Sequence, residues 1–177
     1  MPILGYLITF RTYGTWLHGT ARGSVDSAHA TPGSPLVAED PAREVWERAL
    51  LKQPPFDLNA ECRFVVDATI NEVCQHRGWT LHALNVRTSH VHAVVSASHA
   101  PERVMSDFKA HATRRLRETS LLDPVLTPWA HHGSTRYLHT PDSLLRAVHY
   151  VQLEQGPPLE MRAPSGTKAS RANEPRA

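Results

Sequence analysis

Two histidines stand two residues apart in the run NVRTSHVHAVVSAS (85–98), and a tyrosine and a glutamate stand four apart in LLRAVHYVQLEQ (144–155). Side chains on a strand alternate faces, so His90 and His92 point the same way, while Val91, Ala93 and Val95 point the other way. Two imidazoles on one rigid strand can offer nitrogens to a single divalent ion. Residues four apart share one face of a helix, so Glu154 could add an oxygen ligand and Tyr150 a hydroxyl beside the ion. That set suffices for metal-assisted transesterification: the ion polarises a phosphodiester and the phenolate attacks phosphorus to give a covalent intermediate. An HxH pair alone is more often two polar residues on a half-exposed sheet face. The chemical case rests on the four residues together.

The elements that must gather them can be read along the chain. ILGYLITFR (3–11) alternates like a strand. Residues 18–56 break the pattern and read as a long loop insertion holding a short helix at 41–52, with Pro41 in its first turn and Pro54-Pro55 beyond its end. The segment 59–78 reads as a core helix with Asn59 as N-cap and Gly78 as its stop. Residues 79–86 and 90–97 read as a hairpin, 100–119 as a second long helix, 120–134 as a loop and 135–139 as a short strand. Thr140 caps a last helix with Pro141 at its first position, running to a stop at Gly156. The order strand, helix, strand, strand, helix, strand predicts an α+β, ferredoxin-like split βαβ antiparallel sheet. Two helices should cover one face, and the added C-terminal helix carrying Tyr150 is left for the other, where the histidines point. The reading is one domain over 1–156 and a tail, 157–177, too poor in apolar residues to fold.

Composition constrains the classes. The chain has 177 residues, 41% hydrophobic and 20% charged, with a formal net charge of +2 and a pI near 8.7. These values suit a globular domain, and they permit a nucleic-acid partner without demanding one. Cys62 and Cys74 lie in one helical segment, roughly 18 Å apart at 1.5 Å per residue, and cannot bridge there. They read as core residues in a reducing compartment. No run is apolar and long enough for a membrane span, and no signal-peptide pattern is present, which predicts a cytoplasmic protein without a membrane partner.

SHVHAVV, followed by VMSDFKAHATRRL and then LLRAVHYVQLEQ, resembles the single-tyrosine HUH transposases, among them the REP-associated tyrosine transposases and small insertion-sequence transposases. The resemblance spans about residues 3–155, with 18–56 a poor match. It implies cleavage and rejoining of single-stranded or hairpin DNA, with Mg²⁺ or Mn²⁺ and a 5′-phosphotyrosine link. His90 and His92 match the metal ligands and Tyr150 the nucleophile. Glu154 takes the place of the third ligand, usually an amide or another polar residue, and Gln155 is the neighbouring alternative, off the Tyr150 face by helical spacing. The resemblance gives Lys109 a phosphate or leaving-group role. Arg114, Arg115 and Arg117 form a basic helix end that favours the helix dipole and could hold DNA phosphates. Arg11, beside Trp16 and His18, offers another DNA-binding edge. Trp129 and Tyr137, near His131 and His132, could stack on unpaired bases or pack. Tyr6 and Tyr13 are rival nucleophiles ranked below Tyr150: Tyr6 sits inside the first strand as packing, and Tyr13 lacks a carboxylate at helical spacing. The alternatives are a domesticated, non-catalytic nucleic-acid-binding protein, an HUH nickase of replication or transfer, and a small metal hydrolase that would turn over without a protein–DNA adduct. A monomer and a homodimer both stay open.

Overall fold

The computed structural model describes residues 2–20 and 38–155. The expected helix stop at Gly156, the tail 157–177 and residues 21–37 of the 18–56 loop lie outside the described residues.

A four-stranded antiparallel sheet carries the fold, in the order β2-β3-β1-β4. Its strands are β1 (Gly5–Thr12), β2 (Thr80–Val86), β3 (His90–Ser96) and β4 (Trp129–Leu138). Helices α1 (Pro41–Ala49), α2 (Ala60–Arg77), α3 (Pro101–Glu118) and α4 (Pro141–Leu153) complete it. With α1 set aside, the order is the split βαβ plan read from the sequence, with a helix added at the end.

Strand alternation divides the apolar side chains between two cores. Ile8 and Phe10 of β1, with Val91, Ala93 and Val95 of β3, are fully buried against α2 and α3 through Val66, Ile70, Val104, Phe108, Ala112 and Leu116. Burying each side chain of this size contributes about 1.5–3 kcal/mol. A smaller core lies on the other face, where Val94 and Ala83 meet Leu138 and, from α4, Ala147 and Val151. α4 is thereby fixed to the face toward which His90 and His92 point.

Local signals set the helix limits. The Asn59 carboxamide accepts from the Cys62 amide at 2.8 Å, and Gly78 ends α2 at φ 67°, a left-handed conformation open to glycine at little cost. The Thr140 hydroxyl and Ser143 close a reciprocal cap on α4. Cys62 and Cys74 are both buried and free. α1 ends at Ala49, short of the 52 expected, and buries none of its side chains.

The sequence reading fails at β4, which begins at Trp129 rather than 135. Its register against β1 shifts between Phe10 and Thr12, where residues 129–133 face only 10–12. A bulge and a solvent-exposed edge remove the apolar alternation that marks a strand.

Candidate active site on the histidine face

The site grows out of one row across the sheet. His92 on β3 pairs in register with Thr9 on β1 and with Asn85 on β2. Thr9 Oγ1 and His92 Nδ1 share a hydrogen bond of 2.7 Å. The His90 ring lies 4.8 Å from the His92 ring, centroid to centroid, and its Nδ1 meets Ser89 Oγ at 3.1 Å. His92 is 6% exposed. Burial, then the neighbouring His90 and Arg11, holds its imidazolium pKa down to about 4. The ring is therefore neutral near pH 7, the form that ligates a cation.

Tyr150 arrives from α4. Its ring stands 5.7 Å from that of His92 at 77°, half-buried against the smaller core. Tyr150 and His92, distant in sequence, stand side by side in the fold.

The third position differs from expectation. Glu154 turns outward, 3.2 Å from His149 Nδ1, with both side chains more than half exposed. Gln155, not Glu154, bears on His92, its side chain favouring the charged imidazole. α4 ends at Leu153 and Glu154 is its C-cap, so the spacing argument that favoured Glu154 stops applying one residue before Gln155. Among the described residues no three His, Cys, Asp or Glu side chains come together as a metal cluster. Two imidazoles and an amide oxygen nevertheless form a donor set that suits a divalent cation while leaving positions for phosphate oxygens.

Lys109 lies on the other side of the sheet. Its ammonium donates to the carbonyls of Ala130, His131 and His132 at 2.9, 3.4 and 3.2 Å and stands over the Phe10 ring. It holds the β4 bulge and is not brought to the histidines. Burial lowers its pKa. Arg114, Arg115 and Arg117 sit on the same helical side. Arg115 pairs with Glu72 at 2.7 Å, Arg117 donates to the Leu126 carbonyl at 3.1 Å, and Arg114 lines a groove between α2 and α3 with His76 and His111. Arg11 does share the histidine face: it pairs in register with His90, and its guanidinium lies 3.5 Å from the centroid of the Trp16 ring.

The rival aromatics are tied into packing. Tyr6 is 6% exposed, and the Tyr13 hydroxyl accepts from the Lys52 amide at 3.0 Å. Trp129 is buried with its indole N–H on the Lys109 carbonyl and the Thr113 hydroxyl. Tyr137 is exposed and stacked near-parallel on His139. Sequence reasoning passed over Thr9 and Asn85. The signal was available: each is a polar residue at a position where strand alternation points toward a covered face.

The family model described as "Transposase IS200 like" matches residues 55–125, a span containing α2, the hairpin with both histidines, and α3. A solved REP-associated tyrosine transposase bound to a REP hairpin is similar over 86% of this chain and 67% of its own, at 9% identity and a TM-score of 0.46. A candidate transposase from Deinococcus radiodurans R1 is similar over 86% and 91%, at 14% identity and a TM-score of 0.44. No curated protein matches. The family match bears out the resemblance read from the sequence for that part of the chain: residues 55–125 are similar to the IS200-like transposases. No helix among the described residues is long and apolar enough to cross a membrane.

Proposed function

We propose that the protein is a metal-dependent, single-tyrosine DNA strand-transfer enzyme acting on single-stranded or hairpin DNA. The observation that carries this reading is the 5.7 Å approach of the Tyr150 ring to His92. In the reaction, Tyr150 Oη forms a bond to phosphorus while the bond from phosphorus to the 3′ oxygen breaks. The electron pair leaves with that oxygen, which is protonated to a free 3′-OH, and the phenolic proton goes to solvent. The DNA 5′ end remains on Tyr150 as a phosphotyrosine. A 3′-OH attacking this link reverses the step, so rejoining needs no outside energy source.

His90, His92 and Gln155 would hold the cation, Mg²⁺ or Mn²⁺, and Gln155 replaces Glu154 as the preferred third ligand. When bound, the cation supplies Lewis acidity toward the phosphodiester oxygens. Thr9 fixes the His92 ring through Nδ1, the outer partner that a ligating imidazole ordinarily needs. Arg11 is suited to a DNA phosphate or, with Trp16, to a base. Lys109 acts at a remove, by shaping β4.

Tyr150→Phe tests the reading. Incubated with Mn²⁺ and a labelled single-stranded or hairpin oligonucleotide, the wild-type chain should give a covalent adduct that survives denaturing electrophoresis. The variant should give none while binding DNA with unchanged affinity. Undiminished adduct in Tyr150→Phe would remove the tyrosine from its role. DNA binding without adduct in either protein would favour a binding-only protein.

A further inference from the structure

Asn85 is a buried polar side chain, 9% exposed, on a sheet face whose neighbouring Ala83 and Val94 are apolar. An amide in such a place costs stability unless its hydrogen-bonding groups are met. Its Nδ2 donates to the Val151 carbonyl at 3.0 Å. Val151 lies in the last turn of α4, where carbonyls have no intrahelical partner. The last turn of α4 also has no basic residue to meet them. The sheet therefore supplies a cap that the helix sequence does not.

The location of this cap matters more than its strength. Val151 follows Tyr150 and precedes Gln155 by four residues, and Asn85 is the register partner of His92. One hydrogen bond thus ties the helix end bearing the tyrosine and leading to the amide to the strand position beside the buried histidine. The apolar side chains Ala147 and Val151 hold α4 on the sheet, but apolar contact is non-directional and tolerates sliding. A directional bond fixes rotation and translation together.

We infer that Asn85 is a positioning residue: it holds the C-terminal turn of α4 so that Tyr150 and Gln155 stay over His90 and His92. The inference rests on the reading of those residues as a site. Its consequence is a loss of reaction rate without loss of DNA binding, because misplacement of a reacting group by about 1 Å can cost on the order of 100-fold in rate.

The test compares Asn85→Leu, which removes the polar group, and Asn85→Asp, which keeps the shape but replaces the donor, with Val73→Ala. Val73 belongs to the opposite core, so its truncation controls for general destabilisation. In single-turnover reactions with saturating Mn²⁺ and oligonucleotide, both Asn85 variants should form adduct about 100-fold more slowly, with DNA dissociation constants within about twofold of wild type. Val73→Ala should react at the wild-type rate. Hydrogen exchange gives a readout independent of activity: amides of the last turn of α4 should lose about tenfold of their protection in the Asn85 variants, with α2 and α3 unchanged. Wild-type adduct rates in both Asn85 variants would overturn the inference, as would an equal slowing in Val73→Ala at matched stability. If wild-type protein forms no adduct, the functional reading fails. Exchange then decides the anchoring alone, and unchanged protection in α4 overturns it.

Discussion

His92 carries a burden that its neutral form alone can bear. It is buried, sits beside a second imidazole, and has Arg11 and Arg87 near enough to oppose a further positive charge. Thr9 holds the ring by one nitrogen, so the cost of protonation is not relieved by turning away. The linkage has a definite sign. The unfolded chain takes up this proton near the ordinary histidine value of about 6.5, whereas the folded chain resists until about pH 4. Stability from this residue is fully present above about pH 6.5 and falls as pH drops toward 4, because the unfolded state then binds more protons. Taken over that interval, the effect is at most about 3 kcal/mol. Urea unfolding measured with chelator from pH 4 to pH 7.5 should show stability rising with pH, and His92→Asn should flatten that rise. An identical slope in the variant would move the effect to other groups. At this scale the sequence was legible where alternation applied. His90 and His92 fell opposite Val91 and Ala93 because a strand permits nothing else. Glu154 ranked ahead of Gln155 because the four-residue rule assumes a continuing helix, and α4 stops between Tyr150 and both of them.

β4 shows what an element can hide. Between its buried ends, Trp129 and Leu138, its residues are mostly polar or small and exposed, and two extra residues bulge out against β1. No periodicity survives, so a reader of the sequence finds only the final TRYLH. The structure compensates with two specific devices. Lys109 reaches from α3 to gather three successive carbonyls of the bulge. Gly133, opposite Phe10, leaves room where a Cβ would lie 2.6 Å from the Thr9 carbonyl oxygen and press on Met105. Thr9 is the residue that steadies His92, so crowding at Gly133 bears on the strand segment under the site. Gly133→Ala is expected to cost about 1–3 kcal/mol, the usual range for overpacking against a backbone that cannot yield. Chemical denaturation of the variant would measure it. A loss below about 0.5 kcal/mol would mean that β4 shifts freely and that Lys109 does not pin it. The helices were easier to read. The Asn59 and Thr140 caps and the Gly78 stop each act through a local bond or a local backbone angle, and such signals survive whatever tertiary context surrounds them.

For the molecule as a whole, the two sheet faces divide the work. One is closed by α2 and α3 over the larger core, and the other carries the histidines, Tyr150, Arg11 and, among the described residues, α4. The net charge of +2 is too small to draw DNA to every surface, so which arginines face the reaction matters more than how many there are. Arg115 and Arg117 already have partners in Glu72 and the Leu126 carbonyl, and they lie behind the sheet with Arg114. Arg11 stands beside His90, stacked on Trp16. A strand whose phosphate is to reach Tyr150 must cross this face, and there Arg11 can neutralise one phosphate. Fluorescence-anisotropy titrations of a single-stranded oligonucleotide between about 50 and 200 mM salt would test the division, since each phosphate contact on a single strand contributes about 0.7 to the slope of log affinity against log salt. Arg11→Ala should weaken binding and reduce that slope by about 0.7. Arg115→Ala should change neither, because Arg115 lies on the α2–α3 side of the sheet, where it pairs with Glu72. The reverse result, with the slope falling in Arg115→Ala and holding in Arg11→Ala, would place the DNA on the helical side. It would then have to wrap the sheet edge at β4 to bring any phosphate to the tyrosine.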